Sequence, residues 1–146
     1  MAKLARDVMT PDPVCCSPTA TLDQVAQLMA ANNCGEIPVI DSAERPIGVI
    51  TDRDIVCRVV AEGKNPGAHT VDSCMTSSVV TVRADASIDE VVAMMEDHQI
   101  RRVPVVDDSG CLAGIISQAD IAAVEPPNTT AALLWEVSKD TGRPSR

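Results

Sequence analysis

The chain contains no phenylalanine and no tyrosine, and its single tryptophan, Trp135, lies near the C-terminal end. Its core must therefore be aliphatic, built from Val, Ile, Leu, Ala and Met. Long apolar runs are also missing. None approaches the roughly 18 residues that a membrane-spanning helix needs, and the opening MAKLARDVMT carries charge where a secretory signal needs an apolar stretch. The expectation is a cytoplasmic protein with no membrane partner. Basic residues are scarce: 12 Lys and Arg face 21 Asp and Glu, a net charge of −9 with no basic cluster, which argues against a nucleic-acid partner. Glycines number only seven and form no phosphate loop of the GxxxxGK type.

Catalytic groupings are absent in the same way. Of the two histidines, His69 sits in a polar stretch and His98 follows Glu96-Asp97; neither accompanies a nucleophile and an orienting group. The chain reads as non-enzymatic, with no catalytic residue and no required cofactor. The six cysteines (Cys15, Cys16, Cys34, Cys57, Cys74, Cys111) show no CxxC spacing and lie within apolar runs, so they read as small buried hydrophobes. A thiol- or zinc-responsive stress protein, with Cys74 near His69 as its metal candidate, is the alternative they leave open.

What the sequence does have is a repeat. Shifted by 66 positions, the segment Met9 to Ile55 falls on Met75 to Ile121 without a gap: Met9-Thr10 on Met75-Thr76, Asp23 on Asp89, Met29 on Met95, Pro38-Val39 on Pro104-Val105, Gly48 on Gly114 and Asp54-Ile55 on Asp120-Ile121. Each copy reads βαββα. A short apolar run comes first, Val14 to Cys16 or Val79 to Val82. Thr21-Leu-Asp-Gln24 and Ser87-Ile-Asp-Glu90 are capping boxes that open helices. Leu22, Val25, Ala26 and Met29, like Ile88, Val91, Val92 and Met95, supply one apolar face.

Strands Ile37 to Ile40 and Val103 to Val106 follow, then turns at Asp41 to Pro46 and Asp107 to Gly110, then strands Ile47 to Ile50 and Leu112 to Ile116. Each strand proline lacks a ladder donor, which predicts a strand start or edge. A second helix begins at Thr51 or Ser117. The first carries Ile55, Val56, Val59 and Val60 on one side, and the second is cut by Pro126-Pro127.

Segments are expected at 1–63 (an N-terminal helix and the first repeat), 64–70 (a linker within the polar run from Glu62 to Thr70), 71–125 (the second repeat) and 126–146 (a C-terminal helix and tail). The last helix is expected over Thr129 to Val137, with Thr129 as cap. Its Leu133, Leu134 and Trp135 cannot all face water, so it should dock on the module or on a second copy.

These residues resemble the CBS (cystathionine-β-synthase type) domain pair, or Bateman module. The signature Gly-apolar-apolar-Thr/Ser-x-x-Asp stands as Gly48-Val-Ile-Thr-Asp-Arg-Asp54 and Gly114-Ile-Ile-Ser-Gln-Ala-Asp120. TDRDIV and MEDHQIRRVPVV resemble stand-alone bacterial CBS-pair proteins of the hypoxic-response type.

The resemblance implies an α+β (α/β) fold of tandem CBS motifs, its two βαββα repeats packed with pseudo-two-fold symmetry through their small sheets. It implies clefts for adenosine-containing ligands: AMP, ADP, ATP or S-adenosylmethionine. Thr51 or Ser117 would contact phosphate, Asp54 or Asp120 the ribose hydroxyls, and Ile37-Pro38, Val103-Pro104, Val14 and Val80 would flank adenine. A homodimer through the second helices and an effector protein as partner are likewise implied. Read without a ligand, the same Thr-x-x-Asp and Ser-x-x-Asp turns are ordinary helix caps, and the chain would be a ligand-free structural dimer. The copies are unequal: Arg53 lies in the phosphate-binding turn where the second copy has Ala119. Arg101-Arg102, candidates for bidentate phosphate contacts, stand where the first has Gly35-Glu36, whose carboxylate would repel a phosphate; which cleft these arginines serve is left open.

Overall fold

The computed structural model describes residues 3–77, 79–125 and 127–139. Two compact units emerge, and their boundaries differ from the expected segments: residues 14–79 form one, and residues 1–13 join 80–146 in the other.

In the unit of residues 14–79, α2 (Leu22–Asn32) leads to the hairpin β2 (Glu36–Ile40) and β3 (Pro46–Thr51), then to α3 (Asp52–Ile55), which continues as a π-helical turn over Val56–Val60. The other unit contains α1 (Ala5–Val8), β1 (Thr10–Pro11), β4 (Val82–Arg83), α4 (Ile88–His98), β5 (Arg102–Val106), β6 (Leu112–Ser117), α5 (Gln118–Ala122) and α6 (Pro127–Ser138). The βαββα order of each repeat is as expected. At Thr21 the backbone N–H donates to Gln24 Oε1 (3.1 Å), and Ser87 Oγ accepts from the Glu90 N–H (3.2 Å). Both helices end on a left-handed residue, Asn33 (φ 51°) or Gln99 (φ 53°).

The unexpected boundary comes from the segment that precedes each repeat. Thr10 of β1 pairs with Ile115 of β6, and 66 residues on Thr76 bridges Val49 of β3. Ala5 donates to the Ala86 carbonyl (2.8 Å) as Val71 donates to that of Ala20 (2.9 Å). Each entry segment thus completes the unit built on the other repeat. The expected linker is part of this arrangement, since the Leu22 N–H donates to the His69 carbonyl (3.1 Å) and Thr70 bridges Thr21.

The strand prolines explain another difference. Pro38 and Pro104 occupy mid-strand positions rather than a strand start; β2, one of two strands in its sheet, is an edge as expected, whereas β5 lies between β6 and β4. Cys16 donates to the Pro38 carbonyl (3.1 Å) and accepts from Ile40 (2.9 Å), one unit of a parallel ladder. The next bond toward the N-terminus would require an N–H at residue 38, which proline lacks. Pairing therefore stops at Cys16 and leaves out Val14. The second repeat stops in the same register, Val82 against Val105, so Val79 to Thr81 do not join β4.

The cores are aliphatic. Leu22, Val25, Ile37, Val39, Ile50 and Val71 are fully buried in one unit. Met95, Val91, Val103, Val105, Ile116, Ile121 and Leu133 are fully buried in the other. Ala26 is exposed, so it does not belong to the apolar face of α2.

The second helices also depart from expectation. On the π-helical turn Val56 and Val60 face outward, at 55% and 62% exposure, while Ile55 and Val59 stay buried. α5 ends at Ala122, short of the prolines, and α6 lies against α4 and α5. The α6 helix starts at Pro127, which places Thr129 inside the helix rather than at its cap. Leu133 and Val137 face the core, Leu134 and Trp135 face solvent, and the Gln99 side chain donates to the Glu136 carbonyl (3.3 Å). The expected tail from residue 140 onward, and Pro126, lie outside the described residues. No described helix is long and apolar enough to cross a membrane.

Candidate functional site

Each repeat ends its hairpin in the same turn. At Thr51, the Asp54 N–H donates to Thr51 Oγ1 and the Thr51 N–H donates to Asp54 Oδ2, both at 3.0 Å. At Ser117, the Asp120 N–H donates to Ser117 Oγ (3.3 Å), and the Ser117 N–H and hydroxyl reach Asp120 Oδ2 at 2.9 and 3.1 Å. These reciprocal bonds satisfy donors that the start of a helix leaves open. Capping uses one carboxylate oxygen of each aspartate and leaves Oδ1 for other partners.

The two turns then diverge. Thr51 and Asp54 are buried, at 3% and 7% exposure, whereas Ser117 and Asp120 are half-buried. Asp54 Oδ1 faces Arg58 Nε at 3.8 Å, and Arg58 Nη1 also donates to the Cys74 carbonyl (3.1 Å). One turn beyond Asp120 the corresponding residue is Val124, so Asp120 has no such cation on its own helix. The first carboxylate is covered and paired, and the second is open.

Of the residues singled out from sequence, Ile37, Pro38, Thr51, Arg53 and Asp54 gather at the β2–β3 hairpin, and Arg101, Arg102, Val103, Pro104, Ser117 and Asp120 at the β5–β6 hairpin. Ile37 and Val103 are fully buried, so their side chains serve the cores and only their backbone is offered to a ligand. Val14 and Val80 are half-buried, Arg102 is half-buried, and Arg53 and Arg101 are exposed.

Sequence reasoning passed over Arg58, Asp52 and Gln118. Comparing the two signature turns residue by residue, Asp52 against Gln118 and Arg58 against Val124, would have found them.

The thiols divide by environment. Cys16 and Cys74 are buried, Cys57 is exposed, and the others are intermediate, so the expectation of six buried hydrophobes holds only in part. Burial, with the neighbouring Cys15, pushes the Cys16 thiol up to about 11. Burial first, then the Asp54 carboxylate, raises that of Cys74, whose Sγ donates to the Asp54 carbonyl at 3.5 Å. Since the thiolate is the reactive form, an aromatic disulfide reagent at pH 8 should modify Cys57 in the native chain and leave Cys16 unmodified until denaturant is added. Mass spectrometry of the labelled peptides checks this, and early labelling of Cys16 would contradict it. Among the described residues, no three His, Cys, Asp or Glu side chains gather as a metal site.

A family model for the CBS domain matches residues 5–61 and again 71–126. The uncharacterized protein MK0525 of Methanopyrus kandleri is 41% identical over 121 residues, 83% of this chain and 59% of that protein, so the chain spans under two thirds of that relative. The crystal structure of Hypoxic Response Protein I with two coordinated zinc ions is similar at a TM-score of 0.77 and 38% identity, covering 85% of this chain and 100% of that one. The CBS domain pair of protein MJ0100, in complex with 5′-methylthioadenosine and S-adenosyl-L-methionine, matches at a TM-score of 0.74 and 27% identity, over 85% of this chain and 96% of that one.

Proposed function

Because the chain belongs to the CBS domain family and carries that domain twice, we propose that it is a non-enzymatic, cytoplasmic regulatory module that binds adenosine-containing ligands and passes its liganded state to a partner protein. AMP, ADP, ATP and S-adenosylmethionine are the candidate ligands. The observation that carries this reading is the half-buried Ser117-x-x-Asp120 turn. Its capping uses Asp120 Oδ2 and leaves Oδ1 able to accept from a vicinal diol. In this assignment Asp120 and Asp54 take ribose hydroxyls and Ser117 and Thr51 contact phosphate. Val80 with the Val103-Pro104 backbone, and Val14 with that of Ile37-Pro38, flank adenine. The ligand-bearing complex of MJ0100 supports the ligand class. The exposed Val56 and Val60, four residues apart on one helix, offer a surface for a second copy of the chain.

Thermal unfolding with AMP, ATP and S-adenosylmethionine, backed by calorimetry, tests the reading. A micromolar site corresponds to about 8 kcal/mol of binding, and ligand at a hundred times its Kd stabilises by about 2.7 kcal/mol. Asp120→Ala should remove the response of the second turn while the chain still unfolds cooperatively. If none of the three compounds raises the melting temperature or releases heat, the adenosine reading falls and the ligand-free dimer replaces it.

A further inference from the structure

The open ends of the two hairpins are opposite in charge where the repeat changes its titratable residues. Residues facing each other across an antiparallel ladder present their side chains on one face of the sheet. Glu36 faces Thr51 in this way, and Arg102 faces Ser117. One residue farther out, the Asp52 carboxylate overlies Gly35, where an added Cβ would stand 2.9 Å from Oδ2. The second hairpin has Arg101 at that position, and its carbonyl accepts the Gln118 N–H at 3.0 Å.

Glu36, Asp52 and Asp54 thus meet Arg53 and Arg58 at the first end, and Arg58 is already turned inward onto Asp54 and the Cys74 carbonyl. At the second end the corresponding positions hold Arg101, Arg102 and Asp120. Gln118, standing where the first repeat has Asp52, has its side-chain nitrogen hidden from solvent with no hydrogen-bond partner. A buried amide donor without a partner calls for an acceptor oxygen.

Building on the adenosine-binding reading, we infer that the two sites divide ligands by charge. The β5–β6 end selects a nucleoside 5′-phosphate through Arg101, Arg102 and Gln118. The β2–β3 end rejects phosphate and accepts an adenosine compound whose 5′ substituent is neutral or cationic, a thioether or a sulfonium. A guanidinium beside Ser117 can grip a phosphate with paired N–H donors, whereas a carboxylate at the same place beside Thr51 repels it.

Calorimetry of the full chain with ADP and with 5′-methylthioadenosine tests this. In Arg102→Ala, and separately in the exposed-site variant Arg101→Ala, ADP affinity should fall roughly tenfold or more while methylthioadenosine affinity stays within about twofold. Glu36→Arg should add a second equivalent of bound ADP. Raising salt should weaken ADP and spare methylthioadenosine. Parallel weakening of both compounds in the arginine variants, or ADP binding that survives both losses, overturns the charge division and leaves adenosine binding in place. Absence of binding by either compound to the unmodified chain overturns the adenosine reading itself.

Discussion

Gly114→Ala is expected to lower the unfolding free energy by about 1–3 kcal/mol, the usual range for forcing an added methyl into a packed site, and the melting temperature by about 3–10 °C for a chain of this size. The added Cβ would lie 2.8 Å from the Thr10 carbonyl oxygen and against the Met9 side chain. A methionine tail can swing aside, but the Thr10 carbonyl belongs to β1, which pairs here with β6. Relief therefore costs the pairing that holds the N-terminal segment.

Gly48→Ala should behave alike, because its Cβ would stand 2.7 Å from the Thr76 carbonyl, which accepts the Val49 N–H at 2.9 Å. Gly67→Ala is the control. Its nearest neighbour would be Asn65 Oδ1 at 3.4 Å, and it should stay within about 0.5 kcal/mol. Urea unfolding of the three variants measures the differences. Gly114→Ala unfolding at the wild-type midpoint would show that β1 does not cross β6 so closely.

The glycine of the signature turn is thus a packing requirement: each leaves room for a crossing strand. That crossing was not legible. An offset of 66 shows that Met9-Thr10 and Met75-Thr76 are equivalent, but not which sheet each segment joins, because the deciding contacts are long-range and made by backbone atoms. Helices α2 and α4, the two hairpins and their turns were legible, since they follow from local periodicity, capping hydroxyls and Asp/Gly turn residues.

The effect of the prolines was legible in kind, and Pro38 does lie on an edge strand, but neither proline starts its strand. Loss of an N–H does limit pairing, but at Pro38 it limits the neighbouring segment at Cys16 rather than its own strand. At the site, Thr51, Asp54, Ser117 and Asp120 came from the family resemblance. Their inequality was legible in Arg101-Arg102 against Gly35-Glu36, but not in Arg58, whose contact with Asp54 arises one helical turn away, nor in the cross-strand register that places Glu36 and Arg102 beside the turns.

Leu133→Ala should destabilise the chain by about 2–5 kcal/mol, as large-to-small changes at fully buried leucines do. Its neighbour Leu134→Ala should change stability by about 0.5 kcal/mol or less. Leu133 has no exposed surface and belongs to the core cluster with Val91, Met95 and Ile121, whereas Leu134 is 44% exposed. α5 stops at Ala122, and Glu125 stands where the first repeat has the buried Val59. Leu133 and Val137 therefore supply from α6 the apolar cover that the shorter second helix leaves out. Trp135, the sole aromatic and 67% exposed, rides on the same helix. Its fluorescence anisotropy reports α6 alone, and a docked helix tumbles with the unit to which it is fastened. Leu133→Ala should lower that anisotropy at temperatures below the main unfolding transition, and Leu134→Ala should leave it unchanged. Equal behaviour of the two variants in both measurements would mean that α6 does not present Leu133 to the core.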